Sequence, residues 1–152
     1  MIHGPLAAFL QEGVGIHIAT RNAALEPNGT RALAVKVEDD GRHLAVYVAR
    51  VASVRILGDL EDNGQAAVSF GRPVDDKACQ VKGTFLAARD ASDDERPLIA
   101  AQWDGFLASL EQIGIPRAMT GGWATWPAVA IRLRANAIFD QTPGPGAGAP
   151  IA

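Results

Sequence analysis

Apolar and polar positions alternate along six stretches of this chain, and a period of two is the signature of strands with one buried face. Residues 14–20 put Val14, Ile16 and Ile18 on one face. Residues 31–37 put Leu33, Val35 and Val37 on a bulky face and Ala32, Ala34 and Lys36 on a lean one. The EDDG run over 38–41 turns the chain, and residues 43–49 return as the second arm of an antiparallel hairpin. A short apolar run over 66–71 stops at Gly71, Arg72 and Pro73. After a turn at Asp75 and Asp76, alternation resumes within a strand predicted over 77–88. There Ala78, Gln80, Lys82 and Thr84 face one way, and Cys79, Val81 and Phe85 the other. Gly83 interrupts that strand and marks a bulge or a close backbone approach. The last strand is predicted over 128–139.

Three stretches change period. Residues 4–12 carry an apolar stripe of Leu6, Phe9 and Leu10, with Pro5 suited to a first helical turn and Gly13 ending it. Over 51–62, Val51, Val54, Leu57 and Leu60 recur as on one side of a helix, which Asn63 and Gly64 close. The SDDE run at 92–95 is a capping box, and Pro97 moves the start of the third helix to near Arg96. Its stripe is Ile99, Trp103, Phe106, Leu107, Leu110 and Ile113. Residues 22–29 read as a turn, 117–127 as irregular, and 141–152 as an extended Pro/Gly-rich tail without a core of its own. Residues 1–140 then form one mainly β domain with flanking helices. Sequential antiparallel strands argue for a small closed or partly closed barrel.

Composition narrows the classes of function. A net charge of −3 gives no global argument for nucleic acid or an anionic membrane surface. No apolar run approaches the roughly 20 residues a membrane helix needs. The single cysteine, Cys79, excludes an intramolecular disulfide, and the N-terminus lacks the pattern of a signal peptide, so a cytoplasmic location is expected. The three histidines show no metal-ligand spacing, and no metal is expected. The phosphate-loop, nucleophile-elbow and dinucleotide motifs are absent. What remains is a lean hairpin face with room for something flat, followed by Arg50, Ser53 and Arg55 around a strand-to-helix junction. Free backbone N–H groups in a first helical turn, with a hydroxyl and a guanidinium beside them, make a candidate phosphate cradle. An ordinary helix start with surface arginines gives the same local pattern.

The ordered set RALAVK over 31–36, VYVARVASVR over 46–55, AVSF over 67–70 and QVKG over 80–83 resembles the pyridoxamine 5'-phosphate oxidase-like, FMN-binding split-barrel family. The resemblance spans about residues 5–140. It implies a six-stranded antiparallel Greek-key split barrel that forms a homodimer with FMN at the subunit interface. It also implies that Arg31 and Lys36 contact the flavin and its phosphate, and that Tyr47, Val48 and Ala49 run under the flavin. Ser53 and Arg55 would match two positions of a Ser-Arg-Lys phosphate turn, and Gln80 and Lys82 would supply donors near the ring. Val54 stands where the family has arginine, and the features that bind pyridoxamine phosphate are missing. The resemblance therefore implies an FMN-dependent oxidoreductase with a different small-molecule substrate or electron donor. The alternatives on the same barrel are a non-catalytic protein that holds flavin as a sensor, holds haem or holds nothing, and, less favoured in a chain this acidic, a deazaflavin-dependent reductase.

Overall fold

One interrupted strand, residues 27–37, closes the sheet of this protein. The computed structural model describes residues 1–151. Its elements are α1 (Gly4–Gln11), β1 (Gly15–Arg21), β2 (Pro27–Ala32), β3 (Ala34–Val37), β4 (His43–Ala49), α2 (Arg50–Asn63), β5 (Gln65–Gly71), β6 (Ala78–Asp90), α3 (Arg96–Gln112) and β7 (Ala128–Asp140). The sheet order is β2-β1-β5-β6-β7-β4-β3, antiparallel throughout. Ala32 pairs with Ile16 on β1, whereas Ala34, two residues on, pairs with Tyr47 on β4. The two sheet edges are thus consecutive pieces of one chain segment, and the sheet must curl to bring them together. The split barrel is as expected, with seven strands rather than six because Leu33 breaks one strand into two.

That break also reorders the faces. Ala32 and Val35 belong to the barrel core, while Leu33 and Ala34 both lie on the outer side. The expected separation of a bulky Leu33-Val35-Val37 face from a lean Ala32-Ala34-Lys36 face does not survive the irregularity. The turn predicted over 22–29 is likewise shorter, since β2 already begins at Pro27.

The interior is filled by Ile16, Ile18, Leu44, Val46, Val48, Val68, Phe70, Val81, Ile131 and Leu133, joined by Phe9 and Leu10 of α1 and Ile56 and Leu60 of α2. A second cluster lies outside the barrel, where Ile99 of α3 packs on Leu33, Ala34, Tyr47, Ala49, Ala128 and Ala130. The outer hairpin face, read from the sequence as room for a flat ligand, is covered by α3. Small alanines there allow the helix to approach the sheet closely. The free edge of β3 is covered too. Val35 N–H donates to Gln102 Oε1 at 3.0 Å, and Gln102 Nε2 donates to Val35 O at 2.7 Å. Val37 N–H donates to Gln11 Oε1 at 3.1 Å. Side-chain amides from two helices thereby replace a missing strand.

The capping box is present. Glu95 accepts from Ser92 N–H at 2.9 Å, from two Arg89 nitrogens at 2.7 Å each, and from the Tyr47 hydroxyl at 2.7 Å. The Arg89 pair leads in pulling its carboxyl down to about 2. Gly83 sits at a register shift, and a Cβ there would lie 2.9 Å from the Arg134 carbonyl oxygen. This is the close approach the sequence indicated.

Two readings change. In α2 the buried residues are Ser53, Ile56 and Leu60, while Val51 and Val54 are 77% and 73% exposed. A spacing of three drifts by about 60° per step around a helix of 3.6 residues per turn, so four such positions cannot share one face. The tail is not extended: it loops back so that Ile151 N–H donates to Ile138 O at 2.8 Å and Gln141 N–H to Ala78 O at 2.9 Å. Among the described residues no helix is long and apolar enough to cross a membrane.

Candidate functional site

Alternation in β1, β2, β5 and β6 turns one set of side chains inward and leaves the other on the outer sheet face. Register lines up Arg31, His17, Ser69 and Gln80 as successive cross-strand neighbours on that face. Gln80 Nε2 donates to Ser69 Oγ at 3.3 Å. Their inward neighbours Ile16, Val68 and Val81 hold the row in place from the core side.

Arg31 is the pivot. Its guanidinium lies 4.6 Å from the ring centroid of Trp123 and 5.1 Å from that of Phe106. It forms no ion pair among the described residues, and half-burial lowers its pKa. A cation held between two aromatic faces keeps its charge without a carboxylate. It is therefore available to a ligand anion. The same charge, after burial itself, pushes His17 below its usual value, which favours the neutral imidazole.

Arg31 lines two cavities. One, of about 340 Å³, is bounded by Leu33, Ala49, Val51, Ala52, Trp103 and Trp123. Here α2 begins directly at the end of β4 with Ala49 as N-cap and no side-chain cap. Arg50 N–H donates to Pro127 O at 2.9 Å, but Val51 and Ala52, in the same first turn, have backbone N–H groups beyond the reach of an intrahelical partner. A helix start without a side-chain cap and a guanidinium without a carboxylate line one cavity, an arrangement whose charge suits an anion. Trp103 and Trp123, with ring centroids 5.7 Å apart in an edge-on arrangement, supply its aromatic wall. The second cavity is a groove of about 470 Å³ on the outer sheet face, reaching from Arg31 and Phe106 to the 141–143 turn.

Of the residues singled out from the sequence, the structure brings together Arg31 and Ala49. Tyr47 is buried beneath α3 with its hydroxyl on Glu95, and burial, followed by that bond, raises its pKa strongly. Val48 faces the barrel interior. Ser53 is buried and its hydroxyl donates to Arg50 O at 2.9 Å, so it holds the helix start rather than projecting into the cavity. Arg55 is exposed outside the cavity lining, and Arg50 is paired with Asp90 at 2.6 Å. Lys36 lies at the far end of β3 beside Glu38, Asp39 and Asp40. Gln80 closes the outer row, and Lys82 stands 5.0 Å from the Phe139 ring centroid in a separate hollow. Sequence reasoning passed over His17, Ser69, Phe106 and Trp123. The register that aligns Arg31, His17 and Ser69 was available only once the strand pairing was known.

No protein-family model matches the sequence, and no curated protein matches it. Among solved structures the fold is shared by an F420 reductase, at 17% identity over 90% of this chain and 97% of that one, with a TM-score of 0.59. It is shared by a candidate pyridoxamine 5'-phosphate oxidase of Lactobacillus delbrueckii, at 12% identity over 90% and 93%, TM-score 0.56. It is also shared by an FMN-binding protein of Syntrophomonas wolfei, at 12% identity over 88% and 82%, TM-score 0.51. The protein has the split-barrel fold of the pyridoxamine 5'-phosphate oxidase-like group.

Proposed function

We propose that this protein binds FMN and acts as an oxidoreductase on a small-molecule substrate or electron donor, as a homodimer in the cytoplasm. The observation that carries the reading is the cavity at the start of α2, which Arg31, without a carboxylate partner, and the first turn of α2 line together. Three structures of the same fold carry names that refer to FMN, F420 or a pyridoxamine phosphate oxidase.

The residues fit a phosphate group at that cavity. Arg31 would hold it as a charge-assisted and potentially bidentate donor, with the Val51 and Ala52 amides adding the positive end of the helix dipole. Trp123 and Trp103 offer apolar area to whatever lies beyond the phosphate, and Ala49 leaves the backbone unobstructed. When bound, a flavin supplies the hydride and electron chemistry, and the protein supplies position and electrostatics. Haem, the other ligand considered for this barrel, needs an axial donor. In the single chain the lining of this cavity contains no His, Cys, Met or Tyr, whereas the second cavity bounded by Arg31 carries His17.

The test is a titration of FMN and riboflavin against wild type, Arg31→Met and Arg55→Ala by fluorescence quenching. Removing a charge-assisted bond corresponds to about 1.5–3 kcal/mol, or roughly ten- to a hundred-fold in affinity. Arg31→Met should lose that much for FMN and little for riboflavin, and Arg55→Ala should leave both unchanged. Equal FMN affinity in wild type and Arg31→Met, or a Soret band in freshly purified protein, would overturn the reading. Bleaching of the bound flavin by an added reductant under anaerobic conditions tests the redox half.

A further inference from the structure

The groove on the outer sheet face uses residues that a phosphate cavity leaves idle. Its floor is made by two opposed pairs across β1 and β5, His17 with Ser69 and Gly15 with Gly71. Of the glycine pair, Gly71 leaves bare backbone there, and Gly15 lies under Phe106. A Cβ on Gly15 would come within 3.0 Å of the Phe106 ring and 3.3 Å of the Gly71 carbonyl oxygen, whereas Gly71 has open space above it. Phe106 therefore packs over Gly15, and the open floor is the backbone at Gly71, which can take a second flat group beside the Phe106 ring. At one end stands the Arg31 guanidinium, and at the other Gln141 and Pro143 of the folded tail.

Charge decides what fits. Arg72, also on the wall, is already neutralised by Asp75 at 2.6 Å and Glu12 at 2.8 Å. Arg31 is the cation left without a carboxylate, with His17 and Ser69 beside it as hydrogen-bonding partners. The exposed Asp76 sits on the opposite side of the groove, on the turn after Gly71. An anionic group is favoured at the Arg31 end, and a ring over the glycine floor.

We propose that this groove is a second ligand site, built for a planar aromatic carboxylate, with Arg31 serving both it and the cavity at the start of α2. The carboxylate pairs with Arg31 and takes hydrogen bonds from the Ser69 hydroxyl and the His17 ring. The ring system lies over Gly71, beside Phe106. The site does not depend on a flavin being present.

Benzoate is the probe, followed by amide chemical shifts in the full chain without added flavin. It should perturb Gly15, His17, Ser69 and Gly71. Benzamide has the same shape without the charge, and should bind roughly ten- to a hundred-fold more weakly. Gly71→Leu fills the floor at a position with free space, and should abolish the benzoate shifts while leaving FMN titration as in wild type. Equal binding of benzoate and benzamide would overturn the proposal. So would shifts confined to the first turn of α2, or unchanged benzoate binding in a folded Gly71→Leu protein. If FMN fails to bind while benzoate behaves as described, the FMN reading falls and this one stands.

Discussion

Arg31 and His17 are opposite one another on neighbouring strands, and the chemistry of each depends on the other. Arg31 keeps a charge between two rings, and His17 is held below its usual value near 6.5, first by burial and then by that charge. In the unfolded chain His17 takes up a proton more readily than in the fold, so acidification favours unfolding. Its contribution to stability is therefore complete above the unfolded value near pH 6.5 and is lost as the pH falls from there through the lower midpoint of the folded state. Histidine ring signals followed by NMR should give a His17 midpoint below 6.5 in wild type. Arg31→Met should raise that midpoint, because one of the two causes is gone. A midpoint unmoved by Arg31→Met would show that the two side chains do not interact. Ser53 illustrates the opposite outcome: a residue matched by motif turns its hydroxyl onto Arg50 O and is buried, so motif position does not ensure availability.

At the scale of elements, the β3 edge is where local pattern stops being informative. The extended character of 31–37 was legible, though not the faces of its residues, as were the 38–41 turn, the Gly83 approach, the capping box and the start of α3 near Arg96. These are set by neighbours within a few residues. The break at Leu33 was not, because it exists to hand one chain segment from β1 to β4, and nothing local to that segment specifies two partners. The covering of the lean face by α3 was hidden for the same reason. Arg31 and Ala49 were legible as parts of a site through their family motif, whereas His17 and Phe106 enter it only through tertiary contacts. Gln102 is the test of this level. Buried in α3, it stands in for a strand by pairing both Val35 N–H and Val35 C=O. Gln102→Ala would leave two buried backbone groups without partners, and each costs about 1–3 kcal/mol. A destabilisation of roughly 2–6 kcal/mol is expected in urea unfolding, more than a surface glutamine would show. Hydrogen exchange at the Val35 amide should accelerate beyond the global change.

Among the described residues, α2 presents apolar side chains that have no partner in the single chain. Val51 and Val54 are one turn apart on α2 and largely exposed, and Val51 lines the same cavity as Trp123, itself 41% exposed. Exposed side chains of this kind beside an open ligand cavity suit a second copy related by a two-fold axis, since such an interface is self-complementary and each copy would close the other's cavity. The prediction is a dimer of the 15.9 kDa chain in solution. Val54→Asp is the discriminating variant. In the monomer its side chain faces water, so folding should be unaffected. Across a two-fold axis it places two carboxylates against apolar surface, where charges without partners are strongly disfavoured. Light scattering should report twice the chain mass for wild type and the single mass for Val54→Asp, with unchanged circular dichroism. FMN affinity should fall in the variant although no residue of the phosphate cavity has been altered, because the cavity would lose the wall its partner supplies. A wild-type chain that is monomeric at micromolar concentration, or a Val54→Asp protein that remains dimeric, would remove α2 from the interface.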